Sequence, residues 1–135
     1  QQLAIIRELV SQHEYPIEIL PCPIIREAHG LAMSSRNERL TADQREKAKV
    51  LYATLKELRS LVAVMNPDEV ADWGRDRLQG LDYCELEYLE VAESRTLQTI
   101  YRWHECKAAR AFVVARFGEI RLIDNIEIYR AEQSV

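Results

Sequence analysis

Apolar side chains recur along this chain at helical spacing in three places and at strand spacing in four others. Leu3, Ile6, Leu9 and Val10 form one stripe of a helix over residues 1 to about 12. Ile17 to Leu20, set between Pro16 and Pro21, reads as a short strand. Ala48, Leu51, Leu55, Leu58, Val62 and Met65 then alternate spacings of three and four, which predicts a long amphipathic helix. Thr41 with Gln44 makes a capping box at its start, and Asn66-Pro67 punctuates its end. Pro67 suits the first position of a following helix carrying Val70, Trp73 and Leu78, with Gly80 just past its end. Cys84, Leu86 and Tyr88 alternate with Glu85 and Glu87, whereas Leu89 and Val91 take the opposite phase, which predicts a bulge. Ala109 to Phe117 and Ile120 to Ile128 are joined at Gly118-Glu119 as a hairpin.

These elements predict an α+β fold in two parts. A helix followed by an apolar strand is the rhythm of a parallel α/β sheet, which is covered by helices on both faces. Only one such strand is present, so residues 1–38 read as the end of a larger domain. Residues 39–135 read as a small domain of two helices and a three-stranded antiparallel sheet. Composition does not alter this: 47% hydrophobic and 30% charged residues are ordinary globular material. The net charge of −4 argues against a nucleic-acid partner, which calls for a basic face. Cys22, Cys84 and Cys106 lack C-x-x-C spacing, and their odd number reads as reduced thiols in a cytoplasmic protein. No signal peptide and no apolar run near the roughly 18 residues of a membrane span is visible.

Candidate chemistry concentrates in Ala28-His29-Gly30-Leu31-Ala32-Met33-Ser34-Ser35-Arg36-Asn37. Two hydroxyls and a guanidinium beside a glycine can hold an anion: the hydroxyls donate and the guanidinium forks onto two oxygens. By itself the motif is weak, because Ser-Ser-Arg turns are frequent. Elsewhere the signals are weaker still. His13, His104 and Cys106 match no common zinc spacing, so no resident metal is expected. Asp124 and Asn125 interrupt an apolar strand, where such residues more often bond to local backbone than do catalysis. Trp73 and Trp103 read as core or edge residues, and the four scattered glycines make no glycine-rich phosphate loop.

The flanks make the motif specific. Arg26-Glu27-Ala28-His29-Gly30-Leu31-Ala32-Met33-Ser34-Ser35-Arg36-Asn37 resembles the signature loop of the pantothenate synthetase (pantoate–β-alanine ligase) family, with His29 where an Asp is usual. Gln1-Gln2-Leu3, Tyr88-Leu89-Glu90-Val91, Ala115-Arg116-Phe117-Gly118 and Arg121-Leu122-Ile123-Asp124-Asn125 resemble further family segments in the same order. The likeness runs over nearly the whole chain but only the second half of the family's length. It implies an enzyme that adenylates pantoate with ATP and then lets β-alanine displace AMP. It also implies that residues 1–38 end a nucleotide-binding, adenylyltransferase-like domain, and that residues 39–135 form a lid over the active site.

The resemblance further implies that Ser34, Ser35 and Arg36 are the catalytic ATP-phosphate loop and that Gln2 binds pantoate. Ile25 and Met33 would border the adenine. Mg2+ is expected to accompany ATP, and the intact enzyme is expected to be a cytoplasmic homodimer. His29 receives no family role and reads as an exposed loop histidine. The chain alone is expected to be inactive, because the family's two-histidine ATP motif is not in it. Two other readings stay open: a non-catalytic structural fragment, and another nucleotidyltransferase with a similar phosphate loop.

Overall fold

The structure is a computed structural model and describes residues 1–131. Three helices precede a sheet: α1 (Gln2–Gln12), α2 (Ala42–Leu61) and α3 (Pro67–Gln79), then β1 (Glu85–Glu93), β2 (Ala108–Phe117) and β3 (Ile120–Arg130). Short 3-10 turns cover Ser35–Arg39 and Trp103–Glu105. The sheet is antiparallel in the order β1-β2-β3, so β1 and β3 are its edges.

The apolar stripe of α2 lies on one face of this sheet beside α3. Leu51, Leu55 and Leu58 of α2 and Val70 and Leu78 of α3 are buried in one cluster with Leu89, Val113, Phe117 and Leu122 of the strands. Ala109, Ala111 and Ala115 of β2 are fully buried there. Their small side chains leave room for the leucines of α2 to pack close to the sheet. Gly118 takes a φ of 61° in the β2–β3 turn, the left-handed conformation that a tight hairpin asks of glycine.

Both interior helices start as their sequences dictate. Thr41 Oγ1 accepts from the Gln44 N–H at 3.1 Å while Gln44 Oε1 accepts from the Thr41 N–H at 3.0 Å. Asn66 and Glu69 repeat this box at α3, a cap that Asn66-Pro67 had suggested only as punctuation. The bulge falls between Leu86 and Tyr88, just before the burial phase changes at Leu89.

Two expectations are corrected. The long helix ends at Leu61, not near Met65. The apolar pattern outlasts it because Val62 and Met65 lie beyond the helix end and still pack against the same core. The short strand at Ile17 to Leu20 is absent: these residues belong to no strand, and their one backbone bond among the described residues runs locally from the Ile17 N–H to the Tyr15 carbonyl at 2.8 Å. Ile17 is 59% and Leu20 72% exposed. A strand needs a neighbour for its backbone groups, and the described residues place none beside this segment. The apolar residues of α1 are likewise uncovered, and no residue of that helix is buried.

Candidate anion-binding site

The Ser-Ser-Arg motif stands at the exit of a tight backbone hairpin. The Met33 N–H donates to the Ile25 carbonyl at 2.9 Å, and the Glu27 N–H donates to the Leu31 carbonyl at 2.9 Å. Arg26 and Ala32 face each other across this ladder. Gly30 turns the tip with a φ of 98°, and a Cβ there would come within 2.3 Å of the Tyr52 ring. Only glycine meets both the left-handed backbone and the close approach of α2.

From this tip the chain runs past Met33 into the Ser35–Arg39 turn. Ser34 caps that turn, its Oγ accepting from the Arg36 N–H at 3.2 Å. Asn37 is buried beneath it and donates from Nδ2 to Glu27 Oε1 at 2.8 Å and to the Ala32 carbonyl at 3.0 Å. These two acceptors fix which way the amide points. Arg45 of α2 donates to the Asn37 carbonyl at 2.6 Å and reaches Glu27 at 3.4 Å.

His29 is half-buried, not the exposed loop histidine expected. Its Nε2 lies 2.8 Å from Glu27 Oε2, and its Nδ1 accepts from the Leu31 N–H at 3.5 Å. Glu27 is held below the usual carboxylate value chiefly by the Asn37 hydrogen bond, then by the charges of Arg45 and His29, against an opposing cost of burial.

Two hollows adjoin the motif. A cleft of about 290 Å³ runs between Met33, Ser34 and Arg36 on one side and Arg121 to Asn125 of β3 on the other. A shallower concavity on the far side is lined by Ser35, Glu38 and Arg45 and shares Met33 and Ser34. The structure thus gathers Met33, Ser34 and Arg36 on one cleft wall and turns Ser35 toward the neighbouring hollow. Ile25 and Met33 are adjacent through their backbone bond and leave apolar side chains in solvent, 69% and 61% exposed. Gln2 is exposed on α1 and lines neither hollow.

The charges of the cleft divide sharply. Asp124, with a side chain only 2% exposed, receives Arg26 as a fork: Nη1 to Oδ2 at 2.6 Å and Nη2 to Oδ1 at 2.9 Å. Arg26 also donates to the Gly30 carbonyl at 3.0 Å, and its guanidinium lies 3.9 Å from the centre of the Tyr52 ring. Asp124 Oδ1 accepts the Asn125 N–H at 2.7 Å, so the expected local bond exists beside a long-range pair that the sequence concealed. Asn125 in turn receives Arg110 at 2.7 Å. Arg121 is taken by Glu87 at 2.8 Å. Arg36 alone among the arginines lining this cleft has no carboxylate partner among the described residues.

The cleft does not suit a bound Mg2+ of its own. Asp124 is its one carboxylate, and both oxygens are committed to Arg26. Among the described residues no three His, Cys, Asp or Glu side chains converge as metal ligands, and His13, His104 and Cys106 form no such group. No described helix is long and apolar enough to cross a membrane.

Residues 1–127 match the family profile described as pantoate-beta-alanine ligase. The pantothenate synthetase of Flavobacterium psychrophilum is 44% identical over 128 residues, covering 95% of this chain and 45% of that protein. The Bacteroides fragilis protein of the same name is 40% identical over 127 residues, covering 94% and 45%. The chain thus spans less than half the length of the curated relatives it matches. Among solved structures, pantothenate synthetase from Thermus thermophilus superposes with a TM-score of 0.86 at 36% identity, covering 95% of this chain and 46% of the other. The Francisella tularensis ligase, solved with beta-gamma ATP and beta-alanine, shares the fold at a TM-score of 0.58 and 24% identity, covering 94% and 40%.

Proposed function

Because the chain belongs to the pantoate-beta-alanine ligase family, we propose that it carries the phosphate-holding loop of an enzyme that joins pantoate to β-alanine with ATP. In this reading the pantoate carboxylate attacks the α-phosphorus of ATP, and pyrophosphate leaves. The amine of β-alanine then attacks the resulting acyl adenylate and AMP leaves. The first step brings an anionic carboxylate onto an anionic triphosphate. Its barrier falls when fixed cations and donors meet the charge that builds on the phosphate oxygens.

One observation carries the assignment. Arg36 stands on the cleft wall with Ser34 and without a carboxylate partner among the described residues, whereas Arg121 in the same cleft is paired. An unpaired guanidinium in a cleft is free to fork onto phosphate oxygens. We assign Ser34, Ser35 and Arg36 to the phosphates and the exposed faces of Ile25 and Met33 to the adenine. Gln2 is assigned to pantoate on the family match, since a side-chain amide both donates to and accepts from a hydroxy acid. Any Mg2+ that arrives with ATP finds no free carboxylate in this cleft. Residues 1–38 would end the nucleotide-binding domain and residues 39–135 would act as a lid that excludes water from the acyl adenylate. A cytoplasmic homodimer completes the proposal.

The test is single-turnover adenylate formation by the complete ligase. Arg36→Ala should slow it by on the order of 10²–10³-fold, the usual cost of removing one transition-state donor. Ser34→Ala and Ser35→Ala should cost less. An unchanged rate in Arg36→Ala would remove the phosphate assignment. These 135 residues alone should release no AMP above background from ATP, pantoate and β-alanine.

A further inference from the structure

We propose that Arg26 is a positioning residue that fixes the Ser34–Arg36 segment over the free edge of β3. The proposal rests on the phosphate-loop reading above and adds the device that would hold the loop in register. Two arginines stand ten residues apart with opposite circumstances. Arg36 is exposed and has no carboxylate partner among the described residues, whereas both Nη groups of Arg26 are taken up by the Asp124 fork and the Gly30 and Asn125 carbonyls, with the guanidinium against the Tyr52 ring. Arg26 lines neither hollow beside the motif, so its effect on a bound substrate passes through the backbone.

That route is short. Arg26 pairs with Ala32 across the hairpin, and Ala32 lies two residues before Ser34. Between Arg26 and Arg36 only Leu31 is buried, so apolar packing does little to hold the segment. The Asp124 carboxylate sits on β3, the opposite wall of the cleft. The fork thus sets the distance between the two walls, and a planar guanidinium fixes orientation as well as distance.

In the complete ligase, Arg26→Lys keeps the charge and loses the fork. It should lower kcat/KM for ATP by on the order of 10–100-fold, as expected for reacting groups misplaced by about 1 Å. Asp124→Asn, which keeps the shape, should do the same with the folded thermal midpoint retained. The decisive readout is the double variant. If Arg26 acts through the loop, Arg26→Lys adds little further loss once Arg36 is already Ala. Fully additive losses, or Arg26→Lys at wild-type kcat/KM while Arg36→Ala is crippled, would overturn the positioning role alone. An inert Arg36→Ala would instead overturn the phosphate-loop reading. If neither Arg26→Lys nor Asp124→Asn folds, the pair is a structural requirement only and the proposal fails.

Discussion

At Glu27 one carboxylate gathers an amide, an imidazole and a guanidinium. Asn37, His29 and Arg45 all converge on it beneath the Ser34–Arg36 segment. The Asn37 bond is the largest cause of its lowered pKa, with the Arg45 and His29 charges adding to it. A carboxyl held low in the folded state contributes stability above its unfolded value, about 4.3. That contribution is lost as pH falls through the lowered folded value. Melting curves of the chain and of Glu27→Gln should therefore differ most near neutral pH and converge under acid. A gap that stays constant from pH 7 to pH 3 would show that the charge at Glu27 is not what stabilises the hairpin. His29 belongs to the same group and serves the hairpin's internal bonding.

The two interior helices depend on their caps and stripes, and the stripes and the α2 cap were readable from the chain. Thr41→Ala removes one half of a reciprocal cap and should cost roughly 1 kcal/mol. A urea titration should show a lowered midpoint with an unchanged slope. No shift in midpoint would mean that packing of α2 alone sets its start. The α2 cap, the α2 stripe and the β2–β3 hairpin were legible because each is written within a few neighbouring residues, whereas the Asn66–Glu69 box at α3 went unread behind the stop that Pro67 signals. The strand at Ile17 to Leu20 was misread because apolar residues between prolines state a preference, and a partner strand must turn that preference into structure. The end of α2 was overrun because the turn after Leu61 packs Val62 and Met65 on the same core. At the site, Ser34, Ser35 and Arg36 stood out by residue type and by resemblance. The Arg26–Asp124 pair did not, since 98 residues separate its members and no local pattern links them.

Across the whole molecule, order is unevenly shared. The sheet and its two helices enclose the core, whereas α1 and the stretch to Ile25 leave Ile5, Leu9, Ile17 and Leu20 in solvent. No backbone N–H from residue 18 to 24 finds a backbone acceptor among the described residues. Hydrogen exchange on the isolated chain should therefore be near the unprotected rate over residues 18–24 and slowest in β2, which is paired on both sides. Slow exchange at residues 18–24 in a demonstrated monomer would show that this stretch finds partners of its own.

The span between Arg26 and Asp124 also sets a timetable for synthesis. A ribosome adding about 5–20 residues per second makes Arg26 some 5–20 s before Asp124. Throughout that interval the hairpin and the Ser34–Arg36 segment exist without their clamp. The nascent chain thus displays Ser34, Ser35 and Arg36 well before they can be held in place, and they are secured only when β3 is translated.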